Sequence, residues 1–414
     1  MITFDSRSTP PLGVAMVGYG FMGAAHSHAW RTAPHIFPLP FRPELRALAG
    51  RNAAALDVAA AQFGWQSTTT DWRSLLVRDD IDVIDICAQG DAHAEIALAA
   101  LAAGKHVLCE KPLANTTLEA ERMVEAAALA AEHGVIARVG FSYRFNPAVQ
   151  LARELVQQGR IGTIRQVRAQ YLQDWLADDL TPMSWRLDRN QAGSGALGDI
   201  GAHIVDLAQF LTGEQITAVS GMLETFVTAR PAPGADARAL GGSGERDAPK
   251  HPVTVDDAAL FSARFGGSSG AVGSFEATRM ATGRRNVLRI EISGSDGAVS
   301  FDYDDPSALA FHDARDQTQT AGFRRIHVTS PGHPFAEAWW PPGHGLGYEH
   351  GFIHEIALFT EDIADGGART PTFAEGLSVQ RVLDAVERSS ADDSRWVAIR
   401  PTGPTHPAPT TTTK

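Results

Sequence analysis

The feature that most constrains the fold is a short apolar run that leads directly into a glycine-rich turn. Residues 12–17 have the length and composition of a buried strand, and residues 18–23 follow with the pattern Gly-x-Gly-x-x-Gly. A helical pattern begins at about Ala24. Strand, glycine turn and helix in this order favour the first unit of a doubly wound α/β domain over an isolated glycine-rich loop.

The same alternation of strand and helix continues to about residue 145. Apolar runs typical of buried strands occupy residues 45–49, 81–87, 106–109 and 135–139, and helical patterns occupy residues 53–63, 94–103 and 118–133. Strands that alternate with helices of this length form a parallel sheet covered on both faces. We therefore predict a Rossmann doubly wound domain over residues 1–145.

From residue 146 the patterns change to those of a large open, mainly antiparallel sheet with a few helices. Leu288, Ile290 and Ile292 alternate with polar residues, which is typical of a strand with one wet face. Predicted strands occupy residues 164–173, 216–229, 255–265, 270–278, 287–293 and 298–303, and predicted helices occupy 149–158 and 199–211. We predict a second α/β domain over residues 146–400.

Three segments lack either pattern. Residues 230–252 are rich in proline, glycine and alanine and predict a long loop, and residues 401–414 predict a disordered tail. Residues 331–348 contain two adjacent tryptophans among prolines and glycines. This segment is too aromatic for a plain linker, and a lid or a subunit contact is the interpretation.

Composition narrows the function classes. The 414 residues carry 36 basic and 48 acidic side chains, so there is no basic excess to bind nucleic acid. No apolar run is long enough to cross a bilayer and the first residues lack a signal-peptide pattern, so we expect a cytoplasmic protein with a small-molecule substrate. Cys87 and Cys109, both in apolar runs, predict neither a disulfide framework nor a cysteine-based metal site.

The glycine turn predicts a dinucleotide site. Gly18 permits the tight turn, Gly20 lets the backbone approach a pyrophosphate, and Gly23 allows close packing of helix and strand. The intervening residues of this site are Tyr19, Phe21 and Met22. An acid at the end of the second strand would bind the ribose of NAD, but Arg51 stands there, so the residues favour NADP over NAD. Arg51 can equally stack on adenine or be an ordinary surface residue.

Lys111 is the first candidate for the reaction itself. The sequence Glu110-Lys111-Pro112 ends a predicted strand, where ligands bind in open α/β sheets. The chain uses 32 arginines but only four lysines, so a retained lysine suggests an amine that titrates. The alternative is an ordinary surface lysine at the end of a strand, with no role in a reaction.

Asp199 and His203 are the second candidate. They lie four residues apart on a predicted helix, so a carboxylate can orient an imidazole or share a proton relay with it. Asp206 lies near the same stripe and is expected to pair with an arginine. In the alternative interpretation, Asp199 only interacts favourably with the helix dipole and His203 is exposed. A metal site is disfavoured because no further ligands stand nearby in the sequence.

Together these segments resemble the Gfo/Idh/MocA oxidoreductases over about residues 12–400. The resemblance rests on residues 18–23, 104–112, 143–147, 184–186 and 193–203, above all on Glu-Lys-Pro followed by Asp-x-x-x-His. It implies a Rossmann domain that binds NAD(P) and a second domain whose open sheet makes dimer or tetramer contacts.

The resemblance also implies residue roles. His203 would be the general base, Asp199 would orient it or hold a neighbouring hydroxyl, and Lys111 would polarise the reacting oxygen. Further cofactor contacts would come from Gln89, His93 and Glu110. Substrate contacts would come from Asn146 and Arg186, and from Trp175 and Trp185 as walls on which a sugar ring stacks.

The implied activity is oxidation of a secondary hydroxyl of a cyclic sugar, anhydrosugar or inositol, by hydride transfer to nicotinamide. Two alternatives stay open: a non-catalytic regulator that senses the cofactor, and an enzyme that uses transient oxidation to cleave or eliminate a glycoside. One segment departs from the family, which usually has Thr-Pro-Asn before His93, whereas this chain has Ala88-Gln89-Gly90-Asp91-Ala92.

Overall fold

The computed structural model describes residues 9–234, 242–369 and 371–400. Its N-terminal half contains a six-stranded sheet in the spatial order β3-β2-β1-β4-β5-β6, and every strand pair is parallel. The strands are β1 (Pro11–Val17), β2 (Arg42–Ala49), β3 (Thr68–Thr69), β4 (Val83–Ile86), β5 (His106–Glu110) and β6 (Ala137–Gly140). The strand order reverses between β1 and β4, and ligands bind at such a switch point. The predicted doubly wound sheet is confirmed.

Four helices connect these strands and cover the sheet: α1 (Phe21–Ile36), α2 (Ala53–Phe63), α3 (Gly90–Ala102) and α4 (Thr117–Ala131). Local sequence sets their ends. The Asn52 side chain caps α2 by accepting a hydrogen bond from Ala55, and Thr116 with Glu119 forms a capping box on α4. Helix α1 begins three residues before the predicted start, so the last residues of the glycine turn form its first turn.

The second half contains a nine-stranded sheet in the order β16-β15-β14-β13-β7-β12-β11-β8-β17. Only the β7–β12 pair is parallel, so the predicted, mainly antiparallel sheet is confirmed. Its strands are β7 (Ile164–Leu172), β8 (Ile216–Glu224), β11 (Ala258–Phe265), β12 (Val272–Thr278), β13 (Val287–Gly294), β14 (Gly297–Asp302), β15 (Ala308–Asp313), β16 (Arg324–His327) and β17 (Val397–Ala398), while β9 (Ala229–Pro231) and β10 (Lys250–Pro252) pair separately.

The helices of this half are α5 (Pro147–Gln157), α6 (Arg189–Ala192), α7 (Ala202–Thr212), α8 (Tyr348–Asp365) and α9 (Phe373–Ala391). Helix α8 packs against α1, and α9 packs against both α4 and β8, so these two helices connect the two sheets. Short 3₁₀ turns occupy Trp72–Leu75, Ser142–Phe145, Trp185–Leu187 and Ala336–Ala338. Within the described ranges, no helix combines the length and the apolar character that crossing a bilayer requires.

Two sequence predictions need correction. The segment predicted as a loop over residues 230–252 begins and ends in the paired strands β9 and β10. Arg230, which is fully buried, holds this segment down by donating hydrogen bonds to the backbone oxygens of Leu176 and Asp178. The predicted strand over residues 216–229 accordingly ends at Glu224 and restarts as β9. The predicted tail, residues 401–414, lies outside the described residues.

The aromatic segment over residues 331–348 packs on the N-terminal half. The indole of Trp339 donates a 2.7 Å hydrogen bond to Nε2 of His354 in α8, and its ring meets Phe37 just after α1 edge to face. Trp340 is exposed. Trp339 therefore anchors a segment that is otherwise largely exposed, and its role as a lid or subunit contact stays a prediction.

Candidate active site

A cleft of about 790 Å³ lies at the carboxyl edge of the parallel sheet. Its floor comes from the residues that follow β1, β4 and β5, and its far wall comes from the second half of the chain through Ser184, Trp185, Arg186 and Asp199. The cleft is large enough for a dinucleotide and a small substrate together.

The glycine turn has the geometry that a pyrophosphate requires. Gly18 has φ +105°, and a Cβ there would clash with the carbonyl oxygen of Cys87. A Cβ on Gly23 would clash with the carbonyl oxygen of Gly18. Gly20, in contrast, faces open space, so a phosphate can approach the backbone at the N-terminus of α1. The residues present fit a dinucleotide.

The other residues of the turn pack on neighbouring segments. Tyr19 covers Gly50 at the end of β2. Phe21 stacks on Tyr348 at a centroid distance of 5.9 Å, and the Tyr348 hydroxyl lies 3.9 Å from the Met22 sulfur. The start of α8 therefore packs on the first turn of α1.

Arg51 and Gln89 lie together on the cleft wall. The exposed Arg51 guanidinium donates a 3.1 Å hydrogen bond to Oε1 of Gln89, the residue that precedes α3. The neighbouring Asn52 caps α2, so the end of β2 offers no carboxylate to a ribose. Arg51 lines the cleft at the end of β2, and its predicted contact with a 2′-phosphate or an adenine stays a prediction.

His93 and Glu110 also border the cleft, but their polar atoms bond mainly to the protein. His93 lies with Nδ1 2.9 Å from the Pro112 oxygen and Nε2 3.2 Å from the Ala88 oxygen, and burial lowers its pKa. Glu110 accepts a 3.0 Å hydrogen bond from the backbone N–H of Lys111. Both residues hold the loops that bound the cleft.

Lys111 and Asp199 meet in the cleft although they are 88 residues apart. Nζ of Lys111 donates a 2.7 Å hydrogen bond to the backbone oxygen of Asp199 and lies 3.7 Å from its carboxylate. Arg279, which the sequence does not single out, lies 3.5 Å from the same carboxylate and is fully buried. Burial alone would raise the pKa of Asp199. The charges of Lys111, Arg186 and Arg279 together lower it by more than burial raises it, so the pKa lies below the ordinary value.

His203 is buried in α7, which begins three residues after Asp199. Burial, reinforced by the charge of Lys111, holds its pKa well below the ordinary value, so the ring is neutral near pH 7. The ring lies edge to face with Tyr143 at 4.9 Å and tilted against Tyr171 at 5.8 Å. Within the described residues, its Nδ1 has no hydrogen-bond partner.

The predicted contact between Asp199 and His203 needs correction. Leu197–Gly201 is a π-helical turn and α7 begins only at Ala202, so the spacing of four does not span a regular α-helix. The Asp199 carboxylate faces Lys111 and Arg279, and it acts on the imidazole only through its charge. Aromatic rings contact His203 instead. The expected arginine partner of Asp206 is Arg144, at 2.8 Å.

Among the predicted substrate residues, Trp185 and Arg186 line the cleft, and the Arg186 guanidinium stacks 4.5 Å from the Trp185 ring centroid. Trp175 lies behind this wall: its indole donates to Gln173, and its ring lies 5.5 Å from the Arg279 guanidinium. It can support the site through Arg279.

Asn146 is not placed to bind a substrate. Its Oδ1 caps α5 by accepting a 2.8 Å hydrogen bond from Ala148, and its Nδ2 donates to the oxygen of Pro306. Both polar atoms bond to the fold and Asn146 does not line the cleft, so this geometry does not support its predicted contact with a substrate. The position just before Pro147 is a sequence signal for a helix cap.

The described residues also reveal a hydrogen-bonded chain behind His203. The hydroxyls of Tyr143 and Tyr171 lie 2.6 Å apart, and Tyr171 donates a 2.9 Å bond to Oδ1 of Asn286. Gln173 donates to the same oxygen and accepts from Trp175. This chain fixes the aromatic walls around the imidazole.

A parallel sheet with this glycine turn, and an amine beside a carboxylate at its carboxyl edge, are typical of a nicotinamide-dependent oxidoreductase. His203 is not among the described residues that line the cleft; its ring packs on Tyr143 and Tyr171. The family follows from comparison with known proteins. A model described as an oxidoreductase family with an NAD-binding Rossmann fold matches residues 12–141, and one described as the GFO/IDH/MocA C-terminal domain matches residues 149–300. The chain belongs to the Gfo/Idh/MocA family of NAD-binding sugar and polyol dehydrogenases, as its motifs predict.

Individual relatives agree over almost the whole chain. Levoglucosan dehydrogenase from Pseudarthrobacter phenanthrenivorans is 43% identical over 390 residues, which cover 94% of this chain and 98% of that protein. A solved structure of levoglucosan dehydrogenase in complex with NADH has a TM-score of 0.87 at 41% identity and covers 94% of this chain and 100% of its own. An oxidoreductase domain protein from Kribbella flavida has a TM-score of 0.89 at 57% identity, with coverages of 95% and 100%.

Proposed function

We propose that this protein oxidises a secondary hydroxyl of an anhydrosugar or a closely related cyclic sugar or inositol. The observation that carries the proposal is the meeting of Lys111 and Asp199, at 2.7 Å and 3.7 Å, in the cleft that begins at the glycine turn. An amine held beside a dinucleotide site can bind the oxygen of a reacting hydroxyl. The likeness to levoglucosan dehydrogenase supports levoglucosan as the first substrate to test.

The roles of the residues follow from their environments. His203 is neutral at neutral pH and so accepts the proton of the substrate hydroxyl as general base. Lys111 donates a hydrogen bond to the same oxygen and stabilises the developing alkoxide. Asp199 holds Lys111 in place and binds a neighbouring hydroxyl. Bound NAD supplies the acceptor for the hydride.

Substrate and cofactor contacts extend from this centre. Trp185 and Arg186 form the wall on which the sugar ring rests. The turn over residues 18–23 binds the pyrophosphate, and Gln89, His93 and Glu110 shape the nicotinamide end. Arg51 makes use of NADP possible, and NAD is the cofactor of the similar levoglucosan dehydrogenase structure, which contains NADH.

Two further proposals concern organisation. We propose that residues 1–145 and 146–400 are the two domains, with the cleft between them. We also propose a dimer or tetramer formed through the open face of the nine-stranded sheet, where Met222, Leu260 and Val272 are exposed.

The test is a substrate panel followed by the absorbance of reduced nicotinamide. Levoglucosan, other cyclic sugars and inositols are each offered with NAD⁺ and, separately, with NADP⁺. We expect turnover with a member of the anhydrosugar or cyclic-sugar set. Tight NADH binding without any turnover would favour the regulator, and release of a sugar from a glycoside without net reduction would favour the cleaving enzyme.

A further inference from the structure

A buried histidine outside the assigned site lies between two carboxylates. His26, in α1, has its Nδ1 3.0 Å from both carboxylate oxygens of Asp85 and its Nε2 3.1 Å from Oε1 of Glu110. All three side chains are buried. An ionised carboxylate only accepts hydrogen bonds, so a carboxylate at each ring nitrogen favours an N–H at each nitrogen, and we assign the ring as an imidazolium. Burial lowers the pKa of His26, but the charge and hydrogen bond of Asp85, together with the contribution of Cys87, raise it well above the ordinary value.

The second carboxylate leads directly to the reacting lysine. Oε1 of Glu110 contacts His26, while its Oε2 accepts the backbone N–H of Lys111 at 3.0 Å. The backbone of β6 closes the remaining side, since a Cβ on Gly140 would lie 3.2 Å from Oε1. Glu110 is thus fixed from three directions, and the side chain of Lys111 extends from the amide that it holds.

We infer that His26 is a positioning residue for hydride transfer: its ring clamps Glu110, and Glu110 fixes the backbone from which Lys111 reaches Asp199. This inference rests on the proposed role of Lys111. Because His26 belongs to α1, the helix that begins in the glycine turn, the clamp also ties the proposed phosphate-binding turn to the proposed reacting amine. Asp85 anchors the far side of the ring and is itself held by the indole of Trp30 at 2.8 Å.

A metal ion is the competing interpretation of the same cluster. His26, Asp85 and Cys87 have ligand atoms within 4.8 Å of one another. An imidazolium has no free lone pair for a metal, however, and both ring nitrogens already face carboxylates. The contacts therefore favour a protonated His26 between two carboxylates over a metal site. Zinc bound at one equivalent to the purified protein would overturn this interpretation.

Two amide substitutions separate the two sides of the clamp. In His26→Gln the side-chain amide replaces Nε2 and keeps a donor for Glu110, whereas in His26→Asn the amide replaces Nδ1 and reaches only Asp85. We expect kcat to fall about tenfold or more in His26→Asn, to fall much less in His26→Gln, and the NADH Kd to change less than about threefold in both. His28→Asn, an exposed position in the same helix, is the control and should match wild type.

A purely structural histidine would give another result. Equal losses of kcat in both variants, in proportion to their melting temperatures, or a loss confined to KM or to the NADH Kd, would overturn the inference. In a double-mutant cycle with Glu110→Gln, we expect His26→Asn to add little further loss, because both act through one contact.

A readout without turnover keeps this inference separate from the proposed function. If wild type oxidises no sugar, the proposed function fails, and a crystal structure of His26→Asn still tests the clamp. We expect the distance from Lys111 Nζ to the Asp199 oxygen to exceed the native 2.7 Å, with Glu110 displaced. An unchanged lysine would refute the positioning role.

Discussion

Removal of the Lys111 amine is the most direct test of the site. The side chain is only 13% exposed, and its ammonium is held by the Asp199 backbone and carboxylate. In a site so shielded from water, hydrogen bonds to a developing alkoxide are strong. A group that polarises the reacting oxygen contributes about 10²–10⁴ in rate, or about 3–5 kcal/mol. We expect Lys111→Ala to lose kcat by this factor while its NADH Kd stays within about threefold.

Lys105 provides a matched control because it is a lysine of the same domain with a structural role. Its Nζ donates to the backbone oxygens of Arg78 and Ile81, before β4, so Lys105→Ala removes two hydrogen bonds far from the cleft. It should destabilise the fold by about 1–3 kcal/mol and leave kcat near wild type. Steady-state turnover, NADH fluorescence titration and urea unfolding are measured on both variants. Near-normal turnover in Lys111→Ala would refute the assigned role.

Three further predictions test the surroundings. Arg51→Ala should raise the KM for NADP⁺ more than that for NAD⁺, and equal changes would remove the argument from the 2′-phosphate. The native His203 ring resists protonation, whereas the ring in the unfolded chain binds a proton below its ordinary pKa of about 6.5. The free energy of unfolding should therefore fall as the pH drops below that value. Urea unfolding should show a smaller fall in His203→Gln. Arg144→Met removes the guanidinium shared by the buried Asp206 and by Glu375, and it should lower the free energy of unfolding in urea by about 3–5 kcal/mol. Arg42→Met, at an exposed position, should lower it little.

The sequence predicts the parallel sheet well because its strands are continuous apolar runs between helices of ordinary length. Helices α8 and α9 are not predicted, and α8 shows why. Its inward face carries the buried polar residues His354, Glu355, Thr360 and Asp362, so the apolar period that marks a helix is interrupted. Partners for His354 and Asp362 come from distant segments, from the Phe145 oxygen and from Arg138, and no local pattern contains these contacts.

The sequence predicts the site residues that belong to a motif and misses those that reach the site only through packing. Lys111 lies at the end of a predicted strand and Asp199 at the start of a predicted helix, whereas Arg279 directly follows β12 and carries no local signal. The π-helical turn before α7 likewise alters a spacing that a regular helix would make a contact. His26 had a usable signal, since it lies on the buried stripe of α1 with Gly23 and Trp30, where a histidine needs polar partners.

The charges at the site favour one direction of chemistry. Lys111, Arg186 and Arg279 all act on Asp199, while His203 is neutral, so three cations surround one carboxylate. An excess of positive charge stabilises an alkoxide at the substrate oxygen and disfavours the cationic, oxidised nicotinamide relative to its neutral reduced form. Both effects act in the sense of hydride leaving the sugar. The proposed function therefore predicts that Arg279, fully buried and donating to the Asp256 oxygen at 3.0 Å, assists the reaction through its charge.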